Sequence, residues 1–257
     1  MEYFTEQHSI VRRIWGRADT VLFIFAGAAA EFALNKAVDW LYFTGKLPAD
    51  PLGRLFGTVG YARQIIFSEK EKAYAAIDKM SKIHSAVESS RGMAIPDWAY
   101  RDVLFMLIHY SVAAFEMLER KLTSSEKEEI VEVFCAVGQR MKIPGLPVGY
   151  NEWKAMHGRH LENDLRRSQY TTDLYKQYRR NLGNLRYLVL IEVQKRLVPP
   201  GVRALLQLNG PSLLSPALFL YKICRTLKME RLLKSLLLPP AYIKQIRGLD
   251  YKGHDAV

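Results

Sequence analysis

The sequence predicts an all-α protein: a single globular multi-helix domain over residues 1–200, followed by a basic, Leu-rich helical extension over 201–257. The helical architecture rests on three observations. Apolar residues recur at helical spacing through 68–90, capping chemistry precedes the run after Ser124, and no stretch alternates as a strand does. The chain has 257 residues, with 49% apolar and 25% charged. That is enough chain to bury a sizeable core, and the composition is ordinarily globular.

Residues 1–20 read as polar and helical, with Arg12, Arg13 and Arg17 near Trp15 forming a solvated basic face. Residues 20–43 form the most apolar long segment. Glu31, Lys36 and Asp39 lie inside it, and ions near a bilayer centre are expensive, so a buried core helix is expected rather than a membrane span. The small run Ala26 to Ala30, with Gly27, allows close packing against another helix. Glu31 would then be buried or face a pocket.

Pro48, Pro51 and Gly53 predict a turn. Arg54 and Thr58 follow, four apart and hence on one side of a new helix. Gly57 and Gly60 cost a helix about 1 kcal/mol each relative to Ala, which suggests close approach by something at that face.

A helix is expected from Ser68, its N-cap, to about Ser90, with Glu69 and Glu71 in the first turn. Ala73, Ile77, Met80, His84 and Val87 share one apolar stripe. His84 therefore points inward. Two readings stay open: a buried histidine with a hydrogen-bond partner, or an imidazole facing a cavity that holds a metal or haem.

Asp97 is expected to cap a long helix over 98–119, which opens with Tyr100 and is apolar nearly all round. His109 is a second inward imidazole, read either as hydrogen-bonded to a neighbouring helix or as lining a pocket. Thr123 to Glu126 starts the next helix, which runs to about Val137 with Gly138 as its C-terminal cap. A corner at Pro144, Gly145, Pro147 and Gly149 leads to helices over about 151–168 and 173–197. His157 and His160 stand three apart with Glu162 and Asp164 nearby. The spacing suits a metal, but the ligand count is incomplete and the surroundings read as polar, so no dedicated site is expected. No Glu-x-x-His pair supports a di-iron bundle.

Pro199, Pro200 and Gly201 mark the domain boundary. Beyond it, Leu218, Tyr221, Leu227, Leu232 and Leu236 mingle with Lys222, Arg225, Lys228, Arg231 and Lys234. That pattern fits an interfacial membrane helix or a closing helix packed on the domain. The net charge is +11, yet residues 1–158 carry 19 Lys+Arg against 19 Asp+Glu, and residues 159–257 carry 18 against 7. The whole excess lies in the later part, which points to an anionic surface such as a membrane. Nucleic acid is disfavoured, because the cations alternate with leucines rather than with stacking aromatics.

Cys135 and Cys224 lie far apart with no pairing pattern, as expected of inert thiols in a reducing compartment. No secretory signal opens the chain, so a cytoplasmic protein, peripheral on membrane at most, is expected. A dinucleotide fingerprint, a Walker loop, a nucleophile elbow and zinc-spaced cysteines are all absent.

One constellation remains. Arg54 and Thr58 are followed by the helix-borne His84, by Tyr100 opening an apolar helix that contains His109, and by IPGLPVGYNEW at 143–153. In order and spacing, over roughly residues 10–200, this resembles the MpaB and latex-clearing (rubber oxygenase) family. The resemblance implies a haem-b-dependent oxygenase with His84 as axial iron ligand. Arg54 and Thr58 would be distal-side residues that orient oxygen or water, and Tyr100, His109 and Glu31 would be further pocket residues. It also implies O2 and a small apolar substrate, an isoprenoid or other lipid-like molecule cleaved at a C=C bond. Arg12, Arg13 and Arg17 could meet the haem propionates. The latex-clearing branch carries a Lys just before the Thr as a distal ligand; Gly57 stands there in this chain, so that ligand is not expected. The alternative is a non-catalytic helical protein that binds lipid or a membrane.

Overall fold

The computed structural model describes residues 2–45 and 49–212. The expected helix over 218–238, Cys224 and Pro48 lie outside the described residues; Pro51 and Gly53, expected in the same turn as Pro48, instead stand in the first turn of the helix Pro51–Phe67, capped by Asp50. Among the described residues the regular elements are helices and there is no strand. They are α1 (Ile10–Trp15), α2 (Ala18–Phe32), α3 (Asp39–Phe43), α4 (Pro51–Phe67), α5 (Lys70–Arg91), α6 (Asp97–Leu118), α7 (Ser124–Arg140), α8 (Tyr150–Asn163), α9 (Gln169–Leu197) and α10 (Pro200–Leu205). Among these helices none is long and apolar enough to cross a membrane.

The centre of the fold is the pair α2 and α6, which pack more extensively on each other than any other two elements. Gly27 makes this approach possible. A Cβ there would come within 2.2 Å of the Tyr110 ring and 2.8 Å of Leu197. Helices α1, α7 and α9 pack around the pair, and α5 joins through α4 and α7. The core includes Ile14, Trp15, Ile24, Ile108, Phe115 and Ile130. The N-terminal segment clasps the α4–α5 corner, with Phe4 N–H donating to the Ser68 carbonyl and Lys70 N–H to the Glu2 carbonyl.

Several local expectations change. The apolar segment 20–43 is not one helix: it breaks between α2 and α3. There Asn35 accepts from Ala37 N–H with its own side chain, and the backbone of Leu34 and Lys36 bonds to Arg166 and Asp164. Glu69, not Ser68, occupies the N-cap of α5, and Pro96 precedes Asp97 at α6. Thr123 and Glu126 do form a reciprocal capping box. Gly138 lies inside α7 rather than ending it, under Leu104 and Leu146. Gly183, at φ 75°, kinks the long α9, a backbone conformation that favours glycine. Arg12 is not solvated: its guanidinium is buried over the Tyr3 and Phe67 rings, and its Nε donates to Thr5. Beyond Pro199 the chain keeps packing on the core, with Val202 and Leu208 buried and Ser212 Oγ donating to the Glu192 carbonyl.

Candidate active site

Helices α2 and α6 form a wall with a different environment on each side. On one side lies a cavity of about 550 Å³, lined almost wholly by apolar side chains from α2, α4, α5, α6, α7 and α9. Four of the candidates from the sequence line it: Arg54, Thr58, His84 and Tyr100. The α5 stripe explains how His84 arrives there. Ala73 and Ile77 are buried against the core, and one turn later Met80, His84 and Val87 reach the cavity.

The far end of α5 is fixed by Arg91. It pairs with Asp39 at 2.7 Å and stacks on Trp40 at 4.0 Å, and Trp40 itself lines the cavity. The His84 ring meets Tyr100 edge to face at 5.4 Å. Tyr100 donates to Glu88 at 3.2 Å, and Glu88 also accepts from Ile95 N–H. His84 Nδ1 is buried and has no hydrogen-bond partner among the described residues. Burial, then the positive charge of Arg54, lowers its pKa, which favours the neutral imidazole.

Arg54 and Thr58 sit one turn apart on α4. The Thr58 hydroxyl donates back to the Arg54 carbonyl at 3.2 Å, which leaves its oxygen lone pairs toward other groups. Both Gly57 and Gly60 stand exposed on α4, and among the described residues no other element comes within 4 Å of a Cβ built at either.

His109 and Glu31 do not line this cavity. Their positions on α6 and α2 turn them to the opposite side of the wall, toward α8. There Glu31, with no exposed surface, accepts from Tyr110 Oη at 2.9 Å and contacts Nε2 of His157 and His160 at 3.3 and 3.2 Å. Burial alone would raise the Glu31 carboxyl, but the bonds from His157 and His160 hold it well below the usual carboxylate range. His160 Nδ1 lies 2.9 Å from Asp102 Oδ2 and 3.6 Å from Asp164. Burial works against a charge on His160, yet Asp102 and Glu31 prevail and push its pKa up to about 9. His109 stacks near His157 at 4.8 Å, and burial pushes it down to about 4.

The surroundings of His157 and His160 are thus not polar solvent: both rings are buried. Sequence reasoning missed Asp102, Asn35 and Tyr110. A signal for α8 was present, since Trp153, His157, His160 and Asp164 follow one another at steps of four, three and four. Cys135 is buried, and burial raises its thiol to about 11, in keeping with an inert role.

Residues 12–229 match the family model described as ER-bound oxygenase mpaB/B'/rubber oxygenase, catalytic domain. No curated protein and no solved structure matches the chain.

Proposed function

The chain belongs to this mpaB/rubber oxygenase family of oxygenase catalytic domains, and on that premise we propose that it is a haem-b-dependent oxygenase acting on a C=C bond of an isoprenoid or other lipid-like substrate. The observation that carries the reading is His84: a partly buried imidazole whose Nδ1 has no partner among the described residues, on the wall of a large apolar cavity. The lowered pKa of His84 keeps a lone pair available for a metal at neutral pH.

The donor set fits haem b. The His84 imidazole would hold the iron, the apolar walls would meet the macrocycle, and the lining residue Arg186 would meet its carboxylates. When bound, the haem would supply the activation of O2, which no side chain here can perform. The chain's own part is binding, orientation and exclusion of water. The apolar lining takes the hydrocarbon and keeps the site dry. Arg54 presents N–H donors and Thr58 a hydroxyl from one face of α4, where they would orient a small polar molecule by hydrogen bonding. Glu88 holds the Tyr100 hydroxyl and so fixes the ring against His84.

The test is a visible spectrum of protein expressed with haem supply. A Soret band should appear, and His84→Ala should lose it. A Soret band of unchanged position and intensity in His84→Ala would sink the assignment. The nearly wholly apolar lining also favours a second reading, a non-catalytic lipid carrier. It would be recognised by absence of a Soret band after haem reconstitution together with extractable lipid.

Association with anionic membrane through the basic extension over 201–257 is part of the same proposal. It is supported by charge segregation: that segment holds 9 Lys+Arg against 3 Asp+Glu.

A further inference from the structure

We propose that Asp102, His160 and Asp164 form a divalent transition-metal site between α6 and the end of α8, with Asn35 standing between it and the apolar cavity. One ligand atom from each of the three residues lies within 4.8 Å of the other two. His160 is only 3% exposed, and its buried Nδ1 sits 2.9 Å from Asp102 Oδ2 and 3.6 Å from Asp164 Oδ2. A metal bound there would displace the Nδ1 proton and take over the positive charge that the ring otherwise places between the two carboxylates.

The other ring nitrogen supports this. His160 Nε2 contacts the buried Glu31 carboxylate at 3.2 Å. Metal-bound histidines characteristically give their second N–H to a carboxylate, which fixes the tautomer and strengthens the ligand. Glu31 is in turn held by Tyr110 and His157. Asp102 is also positioned from outside, because Asn35 Nδ2 donates to its Oδ2 at 3.1 Å and leaves the oxygen with a free lone pair.

Charge is compatible with an ion here. Glu31, Asp102 and Asp164 converge on the His160 ring, and burying carboxylates together is costly unless cations compensate. The His160 ring and, at Asp164, Lys36 supply that charge in the metal-free protein. Asp164 is partly exposed at the end of α8, so an ion could enter from solvent there. One imidazole and two carboxylates suit zinc or manganese, with water completing the coordination.

The experiment uses the full-length chain without a histidine tag, stripped with chelator and titrated calorimetrically with Zn2+ and, separately, Mn2+. One high-affinity event per chain is expected, with a rise in melting temperature. Asp164→Asn should weaken it at least tenfold and leave the melting temperature of the stripped protein near wild type. His84→Ala, which removes the proposed haem ligand, should leave metal affinity unchanged, so failure of the haem reading and failure of this one can be told apart. Absence of uptake by the stripped protein, equal affinity in Asp164→Asn, or loss of binding in His84→Ala would each overturn the proposal.

Discussion

The Tyr110 ring lies so close over Gly27 that a methyl group at position 27 would fall 2.2 Å from it. The same ring carries its hydroxyl to Glu31, one turn further along α2. One contact thus sets the spacing of the wall and also delivers a donor to the buried carboxylate. The apolar cavity and the polar cluster share this wall, so both depend on position 27.

Gly27→Ala should therefore destabilise the protein. Overpacking a dense core costs about 1–3 kcal/mol, and both the Tyr110 ring and Leu197 are buried. Tyr110→Phe should cost a similar amount by a different route, because the buried Glu31 loses a donor. Urea unfolding of the two variants checks both expectations. A Gly27→Ala midpoint equal to wild type would show that the contact is looser than described.

Much of the helical content was legible in the sequence, since it rests on local chemistry. The stripe Ala73, Ile77, Met80, His84, Val87 and the Thr123–Glu126 box are readable within a few turns of chain. The break after Phe32 was not, because its cause is backbone pairing of Leu34 and Lys36 with residues near 165. The cavity was half legible. His84, Arg54, Thr58 and Tyr100 could be named from spacing and resemblance, whereas the placing of His109 and Glu31 depends on which side of a helix pair each faces. Asp102 and His160, 58 positions apart, share a cluster that no local pattern encodes.

With glycine at position 57, no side chain from that position can reach a haem iron. Cyanide or imidazole should bind the ferric haem-loaded protein readily. Arg54→Ala should shift that affinity several-fold while retaining the Soret band. His109→Ala, on the other side of the wall, should change neither. Spectral titration reads all three, and poor competition by added ligands would point to a distal ligand from another position.

Stability of the metal-free protein should fall on both sides of neutrality. His160 is raised to about 9, so its contribution is complete below the ordinary histidine pKa and is lost as pH rises through about 9. A gap of that size corresponds to on the order of 3 kcal/mol. His109 is lowered to about 4 and Glu31 is held below the carboxylate range, so their contributions are present above the unfolded values and are lost as pH falls. His160→Gln should remove most of the pH dependence between 7 and 10 at a cost in stability at neutral pH. Denaturant midpoints across pH 4–10 test this, and an unchanged alkaline limb in His160→Gln would refute it.

A cut after Pro200 removes packed structure, because residues 201–212 still pack on the core and the family match runs on to residue 229. Val202 and Leu208 are buried in the main core, and each such side chain contributes about 1.5–3 kcal/mol. Arg203 and Ser212 add hydrogen bonds to carbonyls of Leu208 and Glu192. A chain ending at Pro200 should therefore unfold more easily for reasons unrelated to membranes. A chain ending at Ser212 should keep its melting temperature and Soret band. It should lose sedimentation with anionic vesicles if residues 213–257 are the attachment, since each of the 8 cations there contributes on the order of 1 kcal/mol at most near a charged surface. Binding should also weaken as salt is raised. If the chain ending at Ser212 sediments with anionic vesicles as well as the full chain does, the membrane contact lies elsewhere. If it instead drops its haem, the extension completes the cavity and its leucines pack on the domain.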